Sequence, residues 1–89
     1  MKFDINGLKI NTEIPVEIDK SKKFLILLHG FTGCAEDWLP VIEQMPDKYN
    51  YVAIDLIGHG KSDAPSNSSL YSVESMVKQI KFIKDKLTS

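Results

Sequence analysis

Few side chains in this 89-residue chain have the chemistry of catalysis, and they gather in two glycine-bounded stretches. The first is His29-Gly30-Phe31-Thr32-Gly33-Cys34, and the second is Asp55-Leu56-Ile57-Gly58-His59-Gly60-Lys61-Ser62-Asp63. His29 and His59 are the only histidines, and Cys34 is the only cysteine. Imidazole, hydroxyl, thiol and carboxylate are the materials of nucleophilic catalysis, provided a base can reach the nucleophile. Ser62 and Asp63 follow His59 too closely to form a triad with it by reach. A histidine at a strand end or in a tight loop carries a donor and an acceptor nitrogen suited to backbone partners, and His29 and His59 read that way. Asp55 ends a strand and reads as an organiser of the loop after it. Cys34 could act as a nucleophile with either histidine, but a lone loop cysteine reads first as an ordinary thiol. Gly30-Phe31-Thr32-Gly33 offers bare backbone N–H groups. It is not a phosphate loop, because no Lys-Ser/Thr pair follows at P-loop spacing.

Both stretches need strands to hold them. Phe24-Leu25-Ile26-Leu27-Leu28 is an unbroken apolar run, the mark of a strand buried on both faces of a parallel sheet. The expected strand is Lys23 to His29, followed by a loop from Gly30 to Asp37. Tyr51 to Leu56 is a second strand of the same kind. Between them, a helix from Glu36 or Asp37 to Gln44 is expected, with Pro40 in its first turn and an apolar stripe of Trp38, Val41, Ile42 and Met45. This makes a right-handed βαβ crossover with parallel neighbouring strands. Upstream, Met1–Ile5 and Leu8–Ile14 alternate around Asn6-Gly7, which predicts an antiparallel hairpin at the outer edge of the sheet. Pro15 ends or interrupts the second strand. Downstream, Asp63 to Leu70 reads as a surface loop and Ser72 as an N-cap. Val73, Met76, Val77, Ile80, Ile83 and Leu87 form the apolar stripe of a helix over Val73–Lys86.

Composition excludes several classes. Hydrophobic residues make up 43%, charged residues 26%, and the net charge is -1, so nothing favours nucleic acid or an acidic membrane as partner. Lys78, Lys81, Lys84 and Lys86 read as a solvated helix face. One cysteine allows no internal disulfide and suits the reducing cytoplasm. No apolar run approaches the ~20 residues that cross a bilayer, and no signal-peptide pattern is present.

Taken together, Leu27-Leu28-His29-Gly30-Phe31-Thr32-Gly33, Trp38 and Ile54-Asp55-Leu56-Ile57-Gly58-His59-Gly60-Lys61-Ser62-Asp63 resemble the N-terminal part of the α/β-hydrolase fold. His-Gly-Phe-Thr-Gly, with Ala64-Pro65 and Tyr71-Ser72, resembles most the MenH-type SHCHC synthases of menaquinone biosynthesis within that family. The resemblance implies that Phe31 N–H is one oxyanion-hole donor, the other coming from the residue after the nucleophile. It implies structural roles for His29, Gly30, Gly33, Asp55, Gly58, His59, Gly60 and Ser62. The charge to be stabilised would be a tetrahedral oxyanion in hydrolytic members, or an enolate-like oxygen during elimination of pyruvate in the MenH type. No cofactor or metal is implied.

The sequence also departs from the family pattern. No Gly-x-Ser-x-Gly occurs, and the chain ends at Thr88-Ser89, where the family would begin the strand that leads to the nucleophile. Ser89 lacks the flanking elbow and is not read as a nucleophile. The expectation is a single truncated α/β-hydrolase domain over residues 1–89 without complete catalytic machinery. The family's next strand would pair with Phe24–Leu28, so that strand is expected to be an exposed edge through which copies of the chain associate. Two alternatives stand beside this: a non-enzymatic self-associating fragment, and a half-enzyme completed by a second chain. Only the latter would take a small-molecule substrate.

Overall fold

The computed structural model describes residues 1–89. Strands β1 (Lys2–Ile5) and β2 (Leu8–Glu13) pair antiparallel with Ile5 opposite Leu8, which leaves Asn6 and Gly7 as the connecting turn. Their φ values are 52° and 89°, the left-handed pair that Asn-Gly adopts at least cost. Asp4 Oδ1 accepts the Gly7 N–H at 2.7 Å. Strand β3 (Lys23–Leu28) lies parallel to β4 (Tyr49–Ile54), and β2 takes the other side of β4 antiparallel, with Thr12 opposite Ile54. The order β1-β2-β4-β3 is a mixed sheet with the hairpin at one edge and β3 at the other.

A 3₁₀ turn, Ala35–Trp38, and a short helix α1 (Leu39–Glu43) link β3 to β4. Helix α2 (Val73–Thr88) follows a second 3₁₀ turn, Ser68–Tyr71, which begins within the stretch expected to be loop. Ser72 caps α2, its Oγ accepting the Ser75 N–H at 3.1 Å. The core lies between α2 and one face of the sheet, where Ile83 and Leu87 pack with Ile10, Val52, Ile54 and Ile57. Each such residue, fully buried, contributes about 1.5–3 kcal/mol. No helix is long and apolar enough to cross a membrane.

Several expectations change in three dimensions. The run Phe24–Leu28 is not buried on both faces: Phe24 to Leu27 are half-buried and Leu28 is 42% exposed. A strand at a sheet edge has a neighbour on one side only, so its apolar side chains stay partly wet. The strand with the buried run is β4, where Tyr51 to Ile54 are all buried between β2 and β3. The expected helix over residues 36–44 divides into the 3₁₀ turn and the five residues of α1. Val41 leaves its stripe for solvent, at 45% exposure. On α2, Val73 and Val77 are exposed while Gln79 is buried, its Nε2 donating to Leu70 O at 3.2 Å. Strand β2 ends at Glu13, two residues before Pro15.

Candidate functional site

Because β3 and β4 run parallel in register, Leu28 opposite Ile54, the loops that follow them emerge side by side. Two side chains tie these loops together. His29 is buried, and its Nε2 accepts the Leu56 N–H at 3.0 Å. With Nε2 an acceptor, the ring proton sits on Nδ1, which donates to Gly30 O at 2.7 Å. Asp55 is 2% exposed, and its Oδ1 accepts the Ala35 N–H at 2.7 Å. The five residues from Gly30 to Cys34 are therefore held at both ends by the residues that leave β4.

Asp55 is also the hub of the second loop. Its Oδ2 accepts from Lys61 N–H at 3.0 Å and from Asn11 Nδ2 at 2.9 Å. Ser62 Oγ donates to Asp55 O at 2.6 Å and accepts the Asn11 N–H at 2.7 Å. Burial pushes the Asp55 carboxyl up, but the donors from Ala35, Asn11 and Lys61 outweigh it and hold the group below the usual carboxylate range. Gly60 permits this packing, since a Cβ there would lie 2.3 Å from Asp55 Oδ1. Gly58 is similarly closed in by the Tyr71 ring, 3.0 Å from where a Cβ would sit.

His59 faces the first loop. Its ring centroid lies 4.7 Å from that of His29 and 6.0 Å from that of Phe31. Its Nδ1 is 3.1 Å from Ile57 O, and its Nε2 receives the Thr32 N–H in a long contact of 3.4 Å. Thr32 has φ 69°, an uncommon conformation for a β-branched residue. On the solvent side, Lys61 pairs with Glu36 at 2.9 Å, and this partner raises the lysine pKa. Both side chains are mostly exposed, so the pair contributes little to stability.

An inventory of amides in the first loop shows which are available to a ligand. Thr32 N–H goes to His59, Gly33 N–H to Gly30 O at 3.0 Å, Cys34 N–H to Asp37 Oδ2 at 3.1 Å, and Ala35 N–H to Asp55. Gly30 and Phe31 N–H have no acceptor within the chain. The Phe31 side chain is 91% exposed. No nucleophile and base meet here. Ser62 Oγ is occupied as described, Cys34 Sγ contacts Asp37 Oδ1 at 3.7 Å, and Asp63 Oδ2 accepts the Lys9 N–H at 2.8 Å. No group of three His, Cys, Asp or Glu residues is placed to hold a metal ion. The largest cleft, about 510 Å³, is lined by Val16, Leu39, Ile42, Met45, Tyr49 and Tyr51 among others. It lies by the start of β4, at the opposite end of that strand from the two loops.

Sequence reasoning missed Asn11 and Ala35. Asn11 sits in an alternating strand on the face expected to be wet, yet it is 4% exposed because the second loop folds over it. Ala35 acts through its backbone, which a sequence does not advertise.

Residues 23–89 match the α/β hydrolase fold family, and the chain belongs to that family. Its relatives span several activities. It is 40% identical over 63 residues to a putative 2-succinyl-6-hydroxy-2,4-cyclohexadiene-1-carboxylate synthase of Bacillus subtilis, covering 71% of this chain and 23% of that protein. It is 35% identical over 69 residues to epoxide hydrolase 4 of Mus musculus, covering 78% of this chain and 19% of that one. Among solved structures, epoxide hydrolase VrEH1 of Vigna radiata superposes with a TM-score of 0.82 at 27% identity, over all of this chain and 28% of the other. MGS-M2, an α/β hydrolase from a deep-sea metagenome library, gives a TM-score of 0.87 at 20% identity over 98% of this chain and 31% of its own, a likeness of fold. The chain thus spans about a fifth of the length of the two curated relatives.

Proposed function

We propose that residues 1–89 form the oxyanion side of an α/β-hydrolase active site, with Phe31 N–H as one of its donors. The observation that carries this reading is the free amide of Phe31 in a loop whose next four amides are all engaged. A backbone donor clamped at a strand end stabilises developing negative charge without reorganising, which is how such donors lower a barrier. His29 and Asp55 hold the loop, and Gly60 and Ser62 hold Asp55. The nucleophile, acid and catalytic histidine are supplied by residues that join at the free edge of β3. The lone thiol Cys34 suits the cytoplasm, where we place the protein.

For the reaction, we favour the MenH-type elimination over ester or epoxide hydrolysis. The support is the wording His29-Gly30-Phe31-Thr32-Gly33 and the 40% identity to the Bacillus subtilis relative. The test is turnover of an activated ester and of the MenH-type substrate, by the chain alone and with the later portion of that relative added. No activity from the chain alone and activity on mixing is the expected result. Turnover by the 89 residues alone would overturn the reading.

A second reading concerns association, and the edge of β3 favours it. The sheet ends at β3 with Leu28 42% exposed, and α2 leaves Val73 75% and Val77 56% exposed. The accessible surface is 5710 Å², about a tenth above the ~5200 Å² that scaling gives for a folded monomer of this 10.0 kDa mass. A second copy pairing its β3 to this edge is the form we expect for the chain by itself. Sedimentation showing a compact monomer at high concentration would refute that.

A further inference from the structure

The hairpin reaches the Asp55 carboxylate through one side chain, that of Asn11. Asn11 of β2 makes four hydrogen bonds, three of them to distant chain. Its Nδ2 donates to Asp55 Oδ2 at 2.9 Å, its N–H to Ser62 Oγ at 2.7 Å, and its carbonyl accepts the Asp55 N–H at 3.0 Å. The other proton of the same amide goes to Glu13 Oε2 at 2.9 Å. An amide nitrogen between two carboxylates has one orientation only, because its oxygen would repel both. The Asp55 carboxylate is thereby fixed in rotation, with Oδ2 toward Asn11 and Lys61 and Oδ1 toward Ala35. Ala35 N–H is the exit clamp of the Gly30–Cys34 loop.

We propose that Asn11 is a positioning residue for this loop, acting through Asp55 to set where Ala35, and with it the free N–H of Phe31, is held. This rests on the oxyanion reading above for its functional meaning, though not for its geometry. Asn11 is the one residue of β2 whose side chain touches the Asp55 carboxylate that holds the Ala35 amide. The titratable groups around the clamp are Asp55 and Glu13, which Asn11 bridges, with Lys61, Glu36 and His29 beyond them.

The test exploits the sign of the Asn11 contact. Asn11→Asp places a second carboxylate against Asp55 Oδ2, and two ionised carboxylates at such a distance repel one another. At neutral pH the Asp55 carboxylate must turn away, and the Ala35 amide should exchange with solvent at least tenfold faster. As pH falls and the pair comes to share one proton, protection should return. Asn11→Leu should lose Ala35 protection without that return. Exchange at Ile26 and Val52, in the strands, reports whether the variant is folded. Asn11→Ser, which keeps the backbone bonds and removes only the bridge, gives a milder version if Asn11→Asp unfolds. Ala35 protection unchanged in Asn11→Asp and in Asn11→Ser would overturn the proposal. Because exchange is read without turnover, failure here is distinct from failure of the oxyanion reading, which only the mixed-chain assay reports.

Discussion

Replacing Gly60 by alanine tests the packing that holds both loops. The new Cβ would stand 2.3 Å from Asp55 Oδ1, 2.4 Å from Cγ and 2.6 Å from Oδ2. The carboxylate must withdraw by about 1 Å to reach ordinary contact, and it cannot then keep more than one of its bonds from Ala35, Lys61 and Asn11, at 2.7, 3.0 and 2.9 Å. A hydrogen bond to a charged group contributes about 1.5–3 kcal/mol, so losing two of the three costs about 3–6 kcal/mol. Gly60 also has φ 51°, and alanine in that region adds about 1–2 kcal/mol. The sum is a large part of the 5–15 kcal/mol that stabilises a typical domain. Urea denaturation followed by circular dichroism should show Gly60→Ala mostly unfolded or shifted by several kcal/mol. Gly30→Ala, where nothing lies within 4 Å of the new atom, should change stability by about 0.5 kcal/mol or less. The deciding experiment is the double-mutant cycle. In an Asp55→Ala background the clash is gone, so Gly60→Ala should cost only the backbone term. An equal cost in both backgrounds would refute the mechanism.

Other outcomes follow from the same geometry. Asp55 has a depressed pKa in the fold, so its contribution is present above the usual carboxylate pKa of about 3.9 and is lost as pH falls below it. An acid titration of stability should steepen below about pH 4, and Asp55→Asn should flatten it. Phe31→Pro removes the free amide; in a reconstituted enzyme it should lower kcat by about 10²–10³-fold, and a smaller effect on kcat than on KM would count against the oxyanion role. Leu28→Lys at the outer edge of β3 should shift any self-associated form toward monomer in light scattering, at little cost in stability because the side chain is already 42% exposed. Ser72→Ala should destabilise α2 by about 1 kcal/mol, read as a shift in the urea midpoint.

The amino-acid sequence by itself determined the local elements. Asn6-Gly7 specified its turn because few other pairs accept positive φ at both positions, and Ser72 specified the start of α2 by the acceptor it offers. The two glycine stretches and their place after two apolar strands were legible for the same reason, since each depends on neighbours in the chain. Burial was decided only by tertiary structure. Phe24–Leu28 and Tyr51–Ile54 look alike as apolar runs, but β4 lies between two strands and β3 lies at an edge, so only β4 is dry. The clamp on the candidate site was equally invisible: Asn11 and Asp55 are 44 residues apart, and only the pairing of β2 with β4 brings an amide to that carboxylate. Residue type fixes what a side chain can donate or accept, and the sheet order decides which distant group it meets.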